Sequence, residues 1–197
     1  MTIFQAPPFF GARFSLYPLT DRYVPVILGA IKGLQETGLE VETDDVSTFI
    51  GGDRDRVFAE LERVFAYAAK TGEHVVMTVL LSHGCPGETY CEATGEIDPA
   101  PRAGRSDGNA GVDVSAQWSL YPLGRDGYMD VIYREIDRTK KAGVFSRGGH
   151  FVSALHGDLA DVLRAIRTAF DAACADAPHV VAHATFSANS STPTGRS

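Results

Sequence analysis

Cysteine is scarce in this chain of 197 residues, with three in all, and the odd number argues against a framework of disulfides. Cys174 falls in a helical pattern where the matching position of the first half of the chain is Ala69, so it has no partner by design. Cys85 and Cys91 stand near His83, but no C-x-x-C spacing is present, and the second-half counterparts of His83 and Cys85 are Ala188 and Ser190; no metal site is expected there. Positive charge is also short: 18 Lys and Arg stand against 25 Asp and Glu, for a net charge of −7 and a pI near 5.3. Nucleic acid and anionic membrane surfaces are poor partners for such a chain, because both demand a basic surface to neutralise phosphate. Long apolar runs are missing, none approaching the roughly 20 residues of a membrane span. The segment Met1 to Phe10 has no basic region and is broken by Pro7-Pro8. A cytoplasmic protein without membrane insertion is expected. No nucleophile elbow, HExxH, GxxxxGK[ST] or strand-linked GxGxxG occurs, so the familiar catalytic devices are absent from the sequence.

What the chain does contain is itself, twice. Arg13-Phe14-Ser15-Leu16-Tyr17-Pro18-Leu19 returns as Gln117-Trp118-Ser119-Leu120-Tyr121-Pro122-Leu123. After a one-residue insertion near Gly127 the match continues at constant spacing: Tyr23 with Tyr128, Gly52-Asp53 with Gly157-Asp158, Phe65 with Phe170, His74-Val75-Val76 with His179-Val180-Val181, and Ser82 with Ser187. A tandem duplication follows. Each copy, of about 75 to 80 residues, is close to the lower limit for independent stability, so the copies are expected to lean on one another.

Within the first copy, Phe10 to Leu19 alternates as a strand that Pro18 ends, and Tyr23, Val26, Ile27, Ala30, Ile31 and Leu34 form a helical stripe with Asp21 as the expected cap. Leu39 to Thr43 and Val46 to Ile50 are short strands about the acidic turn Asp44-Asp45. Asp53 caps a helix whose buried stripe is Val57, Phe58, Leu61, Val64, Phe65 and Ala68. Its charges Arg54, Asp55, Arg56, Glu60, Glu62 and Arg63 are expected to be solvated. His74 to Ser82 is a closing strand, apolar on both parities from Val75 to Leu81 and expected to be covered on both faces. The second copy repeats the order: strand Gln117 to Leu123, helix about Tyr128 to Lys141, strands Val144 to Ser146 and His150 to Leu155, helix Asp158 to Cys174, strand His179 to Ser187. The fold class is α+β, a tandem duplication of ferredoxin-like βαββαβ units with antiparallel sheets and helices on one face. The expected organisation is a first repeat over 1–87, a Gly- and Pro-rich linker over 88–114, a second repeat over 115–190 and a tail over 191–197.

A sheet with helices on one face leaves the other to water, to a partner or to a ligand. Opposite the apolar Phe14 and Leu16 stand Arg13, Ser15 and Tyr17, and the second copy offers Gln117, Ser119 and Tyr121. The third strands are expected to add Asp45 and Thr48 in one copy and His150 and Ser153 in the other. Arg13 is expected to pair with an acidic neighbour such as Asp45. Hydroxyls, a phenol and a titratable group suit a flat polar heterocycle better than a reaction.

The SLYPL runs, Asp45-Val46-Ser47-Thr48, the segment His74 to Gly87 ending in GCPG, and Phe186-Ser187-Ala188-Asn189-Ser190 resemble the YkoF family of thiamine- and hydroxymethylpyrimidine (HMP)-binding proteins. The resemblance implies a homodimer of tandem ferredoxin-like repeats, a pyrimidine-type ligand in each repeat, no required cofactor, and a non-enzymatic part in supplying the thiamine precursor beside a transporter component. It also implies a His at the start of the third strand of both copies. Here His150 is kept and Asp45 stands in the first, so the two sites are expected to differ in preference. The rival readings are a ferredoxin-like dimeric enzyme acting on a small aromatic or heterocyclic substrate, with His150, Tyr121 and Cys85 as acid-base groups, and a regulatory module whose sheets pack on each other.

Overall fold

The computed structural model of the chain describes residues 9–84 and 108–192. Cys85, Cys91 and most of the expected linker lie outside them. The first repeat runs β1 (Phe10–Pro18), α1 (Tyr23–Ile31), β2 (Glu40–Thr43), β3 (Thr48–Gly51), α2 (Arg54–Ala69) and β4 (Val75–His83). The second runs β5 (Asp113–Leu123), α3 (Tyr128–Lys141), β6 (Phe145–Gly148), β7 (Ser153–Asp158), α4 (Leu159–Asp176) and β8 (His179–Ala188). The architecture is α+β, and the duplicated βαββαβ order is that of two ferredoxin-like units. Among the described residues no helix is long and apolar enough to cross a membrane.

Boundaries moved where local chemistry overrode the periodic pattern. The first helix stops at Ile31, because Gly33 takes a left-handed φ of 78°, and Leu34 continues the apolar stripe from a 3-10 turn. Its N-cap is Arg22, without a side-chain capping bond, and not Asp21. The fifth strand begins at Asp113, ahead of Gln117. Asp158 sets that start: its carboxylate accepts from the amides of Ala110, Gly111 and Val112 while also capping α4 through Ala160.

The two repeats do not stack face to face. Their closing strands pair antiparallel, β4 with β8, from Val75 opposite Ala188 to His83 opposite Val180. One eight-stranded sheet results, in the order β2-β3-β1-β4-β8-β5-β7-β6. Register carries the alternation across this seam without a break. Phe14, Val79, Ala184 and Trp118 are successive partners, and all are buried on one face. The core is therefore continuous between repeats: Phe65 of α2 packs on Phe186 of β8 with ring centroids 5.9 Å apart, and Phe10 meets Phe170 at the same separation.

Helices α2 and α4 lie side by side over the seam, which corrects the reading of the α2 charges as simply solvated. Arg54 pairs with Asp171 of α4 at 2.5 Å, accepts no proton itself but donates to His83 Nδ1 at 2.9 Å, and lies 4.7 Å over the Phe10 ring. Arg167 of α4 pairs with Asp55 of α2. Arg63 reaches back to the Ala30 carbonyl. Burial, then the Arg54 charge, hold the His83 imidazole below its ordinary pKa. The neutral ring is what accepts from Arg54, so this contribution to stability is present above the ordinary histidine pKa and fades as pH falls through the depressed one. Burial also pushes the Cys174 thiol up to about 11, which makes it inert as a nucleophile near neutrality.

Phe65 is fully buried and touches the other repeat, so Phe65→Ala is expected to cost about 3 to 5 kcal/mol in chemical denaturation while the chain still unfolds in one transition. Two separate transitions in the wild-type protein would contradict a shared core.

Candidate ligand-binding face

The face opposite the helices crosses both repeats without interruption, and its side chains fall in transverse rows. Arg13, Leu80, His183 and Ser119 are successive partners on β1, β4, β8 and β5. Ser15, Thr78, Thr185 and Gln117 form the adjacent row. The pseudo-twofold through the β4–β8 seam exchanges these rows, taking Ser15 to Ser119, Arg13 to Gln117 and Thr78 to His183. Tyr17 and Tyr121 stand on the same face, 46% and 47% exposed.

Loops between the hairpin strands fold back onto this face, and the paired serines hold them there. Ser15 Oγ donates to the Val46 carbonyl at 2.8 Å, and Ser119 Oγ donates to the Phe151 carbonyl at 2.7 Å. The result is one cradle per repeat, with a sheet floor, a Tyr at one side and a loop at its rim.

Sequence-expected residues divide between the two faces. Arg13, Ser15, Tyr17, Gln117, Ser119 and Tyr121 share the open face. Thr48 and Ser153 do not: the register sets them against Phe14 and Trp118 on the helix side, and each is only 6% exposed. Asp45 and His150 belong to the loops rather than to strands, both exposed and one residue before the anchored carbonyls. The reason is local. Asp44 accepts from the amides of Val46 and Ser47 at 2.8 and 2.7 Å, which curls the chain and delays β3 until Thr48. Thr48 stands three positions after Asp45, as Ser153 does after His150, and residues three apart point to opposite faces of a strand. Arg13 pairs with Asp44 at 3.0 Å and Glu42 at 3.5 Å, not with Asp45.

Four residues on this face escaped the sequence reading: Thr78, Leu80, His183 and Thr185. The closing strand β4 looks apolar on both parities from Val75 to Leu81, yet it is covered on one face only, with Leu80 45% exposed, while β8 alternates and sets His183 and Thr185 on the open parity. The duplication carried the missing signal, since Thr78 aligns with His183 and Leu80 with Thr185. His74 and His179 also act across the seam, meeting Ser187 and Ser82 at 3.0 and 3.4 Å.

The two cradles differ in their electrostatics. The first is rimmed by Glu42, Asp44 and Asp45 around Arg13, and the Asp44 carboxyl is held below the usual aspartate range by the amides of Ser47 and Val46, then by Arg13. In the second, Gly149 stands where Asp44 does, and the loop instead carries Phe151 at a left-handed φ of 66° and 95% exposed. A bulky residue held in that region is strained by about 1 kcal/mol or more, and such strain collects at binding sites. His150 and His183 supply the polarity. Among the described residues no three His, Cys, Asp or Glu side chains are placed so that they could hold a metal ion together.

Floor, rim and repetition together define a tandem ferredoxin-like protein with hydroxyl- and aromatic-lined cradles on an open sheet. The model of the YKOF-related family matches residues 9–88 and 113–193. The Bacillus subtilis (strain 168) protein named "Putative HMP/thiamine-binding protein YkoF" is 34% identical over 182 residues, covering 91% of this chain and 90% of that one. The chain belongs to the YkoF-related family.

Because backbone amides outrank Arg13 in depressing Asp44, Arg13→Gln is expected to raise the Asp44 pKa only part of the way in an NMR titration. The loop's stabilisation by Asp44 is present above the ordinary aspartate pKa and is lost as pH falls through the depressed one. A full return to the ordinary value in the variant would contradict the turn described.

Proposed function

We propose that the chain binds thiamine or its hydroxymethylpyrimidine precursor without chemical turnover, one molecule per repeat, in thiamine-precursor uptake or salvage. The observation that carries this reading is the repeat-matched pair of loop-closed cradles, Ser15 with Val46 and Ser119 with Phe151. An aminopyrimidine presents ring nitrogens that accept and an exocyclic amine that donates. Thr78, Thr185, Gln117, His183 and the loop carbonyls offer the complementary groups. The exposed Tyr17 and Tyr121 rings provide flat faces, and a thiazolium cation beside such a ring and a carboxylate gains about 0.5 to 2 kcal/mol. The name of the Bacillus subtilis relative supports a binding role over an enzymatic one.

The same reading makes the protein a cytoplasmic homodimer working beside a transporter component. Leu80, Tyr17, Tyr121, Val46 and Phe151 give the open face the exposed apolar area that a second copy could cover around the ligands. Arg13, Ser15, Tyr17 and Asp45 serve the first site, and Gln117, Ser119, Tyr121 and His150 the second. Thr48 and Ser153 are left out of the contact set and act from beneath the sheet.

Calorimetry with hydroxymethylpyrimidine and with thiamine is expected to give two equivalents per chain. Ser119→Ala, which releases the second loop, is expected to weaken one equivalent by about tenfold, the value of a single hydrogen bond, and to leave the other unchanged. Ser15→Ala does the converse. No heat with either compound overturns the reading, and loss of both equivalents in one variant overturns the assignment of one site to each repeat.

A further inference from the structure

Beyond the cradles, the open face carries a feature that the duplication does not repeat. Where β5 begins and β8 ends, a cleft of about 650 Å³ is lined by Asp113, Ser115, Ser187 and the run Asn189 to Thr192. That volume lies within the range of small-molecule pockets, about 300 to 1,000 Å³. Ser115 and Ser187 are direct partners across β5 and β8, with His156 of β7 on the other side of Ser115. Ser115 precedes Ser119 by four residues on one strand, roughly 13 Å, and none of Gln117, Ser119, Tyr121 and His150 lines the cleft.

Among the described residues of the first repeat, the equivalent place is filled. The counterparts of Ser115, His156 and Ala154 are Gly11, Gly51 and Phe49. The Phe49 ring lies flat over both glycines: a Cβ built on Gly11 would come within 2.7 Å of it, and one on Gly51 within 2.6 Å. Phe9 stacks against that ring at 6.0 Å, closing the plug. In the second repeat Ala154 stands in place of the Phe49 ring, and Ser115 and His156 stand at the two glycine positions. Three coordinated differences at one place have opened a polar cleft where the other repeat has an apolar filling.

The cleft is built, not merely left over. Asn189 takes a left-handed φ of 57°, and its side-chain amide donates to the carbonyls of Ala69 and Glu73, fixing the turn that carries Ser190 to Thr192 over the sheet end. Asp158 fixes the opposite wall by holding the amides of residues 110–112 just before Asp113. Among the described residues the lining supplies one carboxylate and several hydroxyls, and neither Lys nor Arg. Asp113 meets His156 at 3.5 Å and projects largely into solvent. Such a lining favours a positive charge next to hydroxyl groups and disfavours an anion.

We infer that this cleft is a separate binding site, confined to the second repeat, for a small organic cation bearing a hydroxyl group, an amino alcohol in chemical class. The inference stands on the cleft and does not depend on what the cradles bind. Chemical-shift titration of the full-length protein with choline and ethanolamine is expected to move Ser115, Asp113 and Ser190 to Thr192 saturably, with glycerol weaker and inorganic phosphate without effect. Asp113→Asn is expected to reduce the choline affinity tenfold or more. Ser115→Leu, which refills the cleft from an exposed position, abolishes it, and both variants keep their thermal midpoints and both pyrimidine equivalents. Phosphate binding in place of the cations, saturable shifts unchanged in both variants, or no saturable shift with any of the four compounds would each overturn the site.

Discussion

The pairing of β4 with β8 is the constraint on which the molecule depends. Each repeat alone has four strands and two helices, too little enclosed surface for secure stability. Joined edge to edge, they share aromatic contacts such as Phe65 with Phe186 and Phe10 with Phe170, and the helices above the seam exchange ion pairs through Arg54, Asp171, Arg167 and Asp55. The same pairing removes two sheet edges that would otherwise invite association with other chains. It also decides that the uncovered faces lie in one plane.

From that geometry the chemistry of the open face follows. The central strands place Thr78, Leu80, His183 and Thr185 between the first strands of the two repeats, so each cradle has a floor drawn from both copies. One serine hydroxyl per repeat ties the loop to the sheet, joined in the first repeat by Arg13, which donates to Asp44 and Ser47. A polar side chain on a wet face gains little from one bond to water, but a bond to a backbone carbonyl fixes the loop over the sheet at small entropic cost, because the loops are short.

The duplication made most of the fold legible before any coordinate. Repeated SLYPL runs, the helical stripe ending in Phe65 and Phe170, and the closing strands identified every strand and helix, and the open face was anticipated from the alternation in β1. What escaped the sequence did so for local and long-range reasons. Asp45 and His150 leave the strands because a carboxylate at Asp44 in one loop, and a left-handed Phe151 in the other, delay the strand start, and periodicity alone does not see a turn closed by a side chain. Thr48 and Ser153, three positions further on, take the opposite parity and pair with Phe14 and Trp118 on the helix side. Thr78 and Leu80 stand in β4, a strand whose hydrophobicity suits a central position rather than burial on two sides. Arg54 and Asp55 were read as solvated because nothing in a single repeat says that another helix lies beside α2. The polar cleft at Ser115 emerges only when Gly11, Phe49 and Gly51 are compared with their counterparts in three dimensions.

The account is tested most directly by hydrogen–deuterium exchange with and without hydroxymethylpyrimidine. It predicts added protection in both hairpin loops, residues 45–47 and 150–152, with the helices α1 to α4 unchanged. Protection that left both loops untouched and appeared among the helices would contradict a ligand held on the open face.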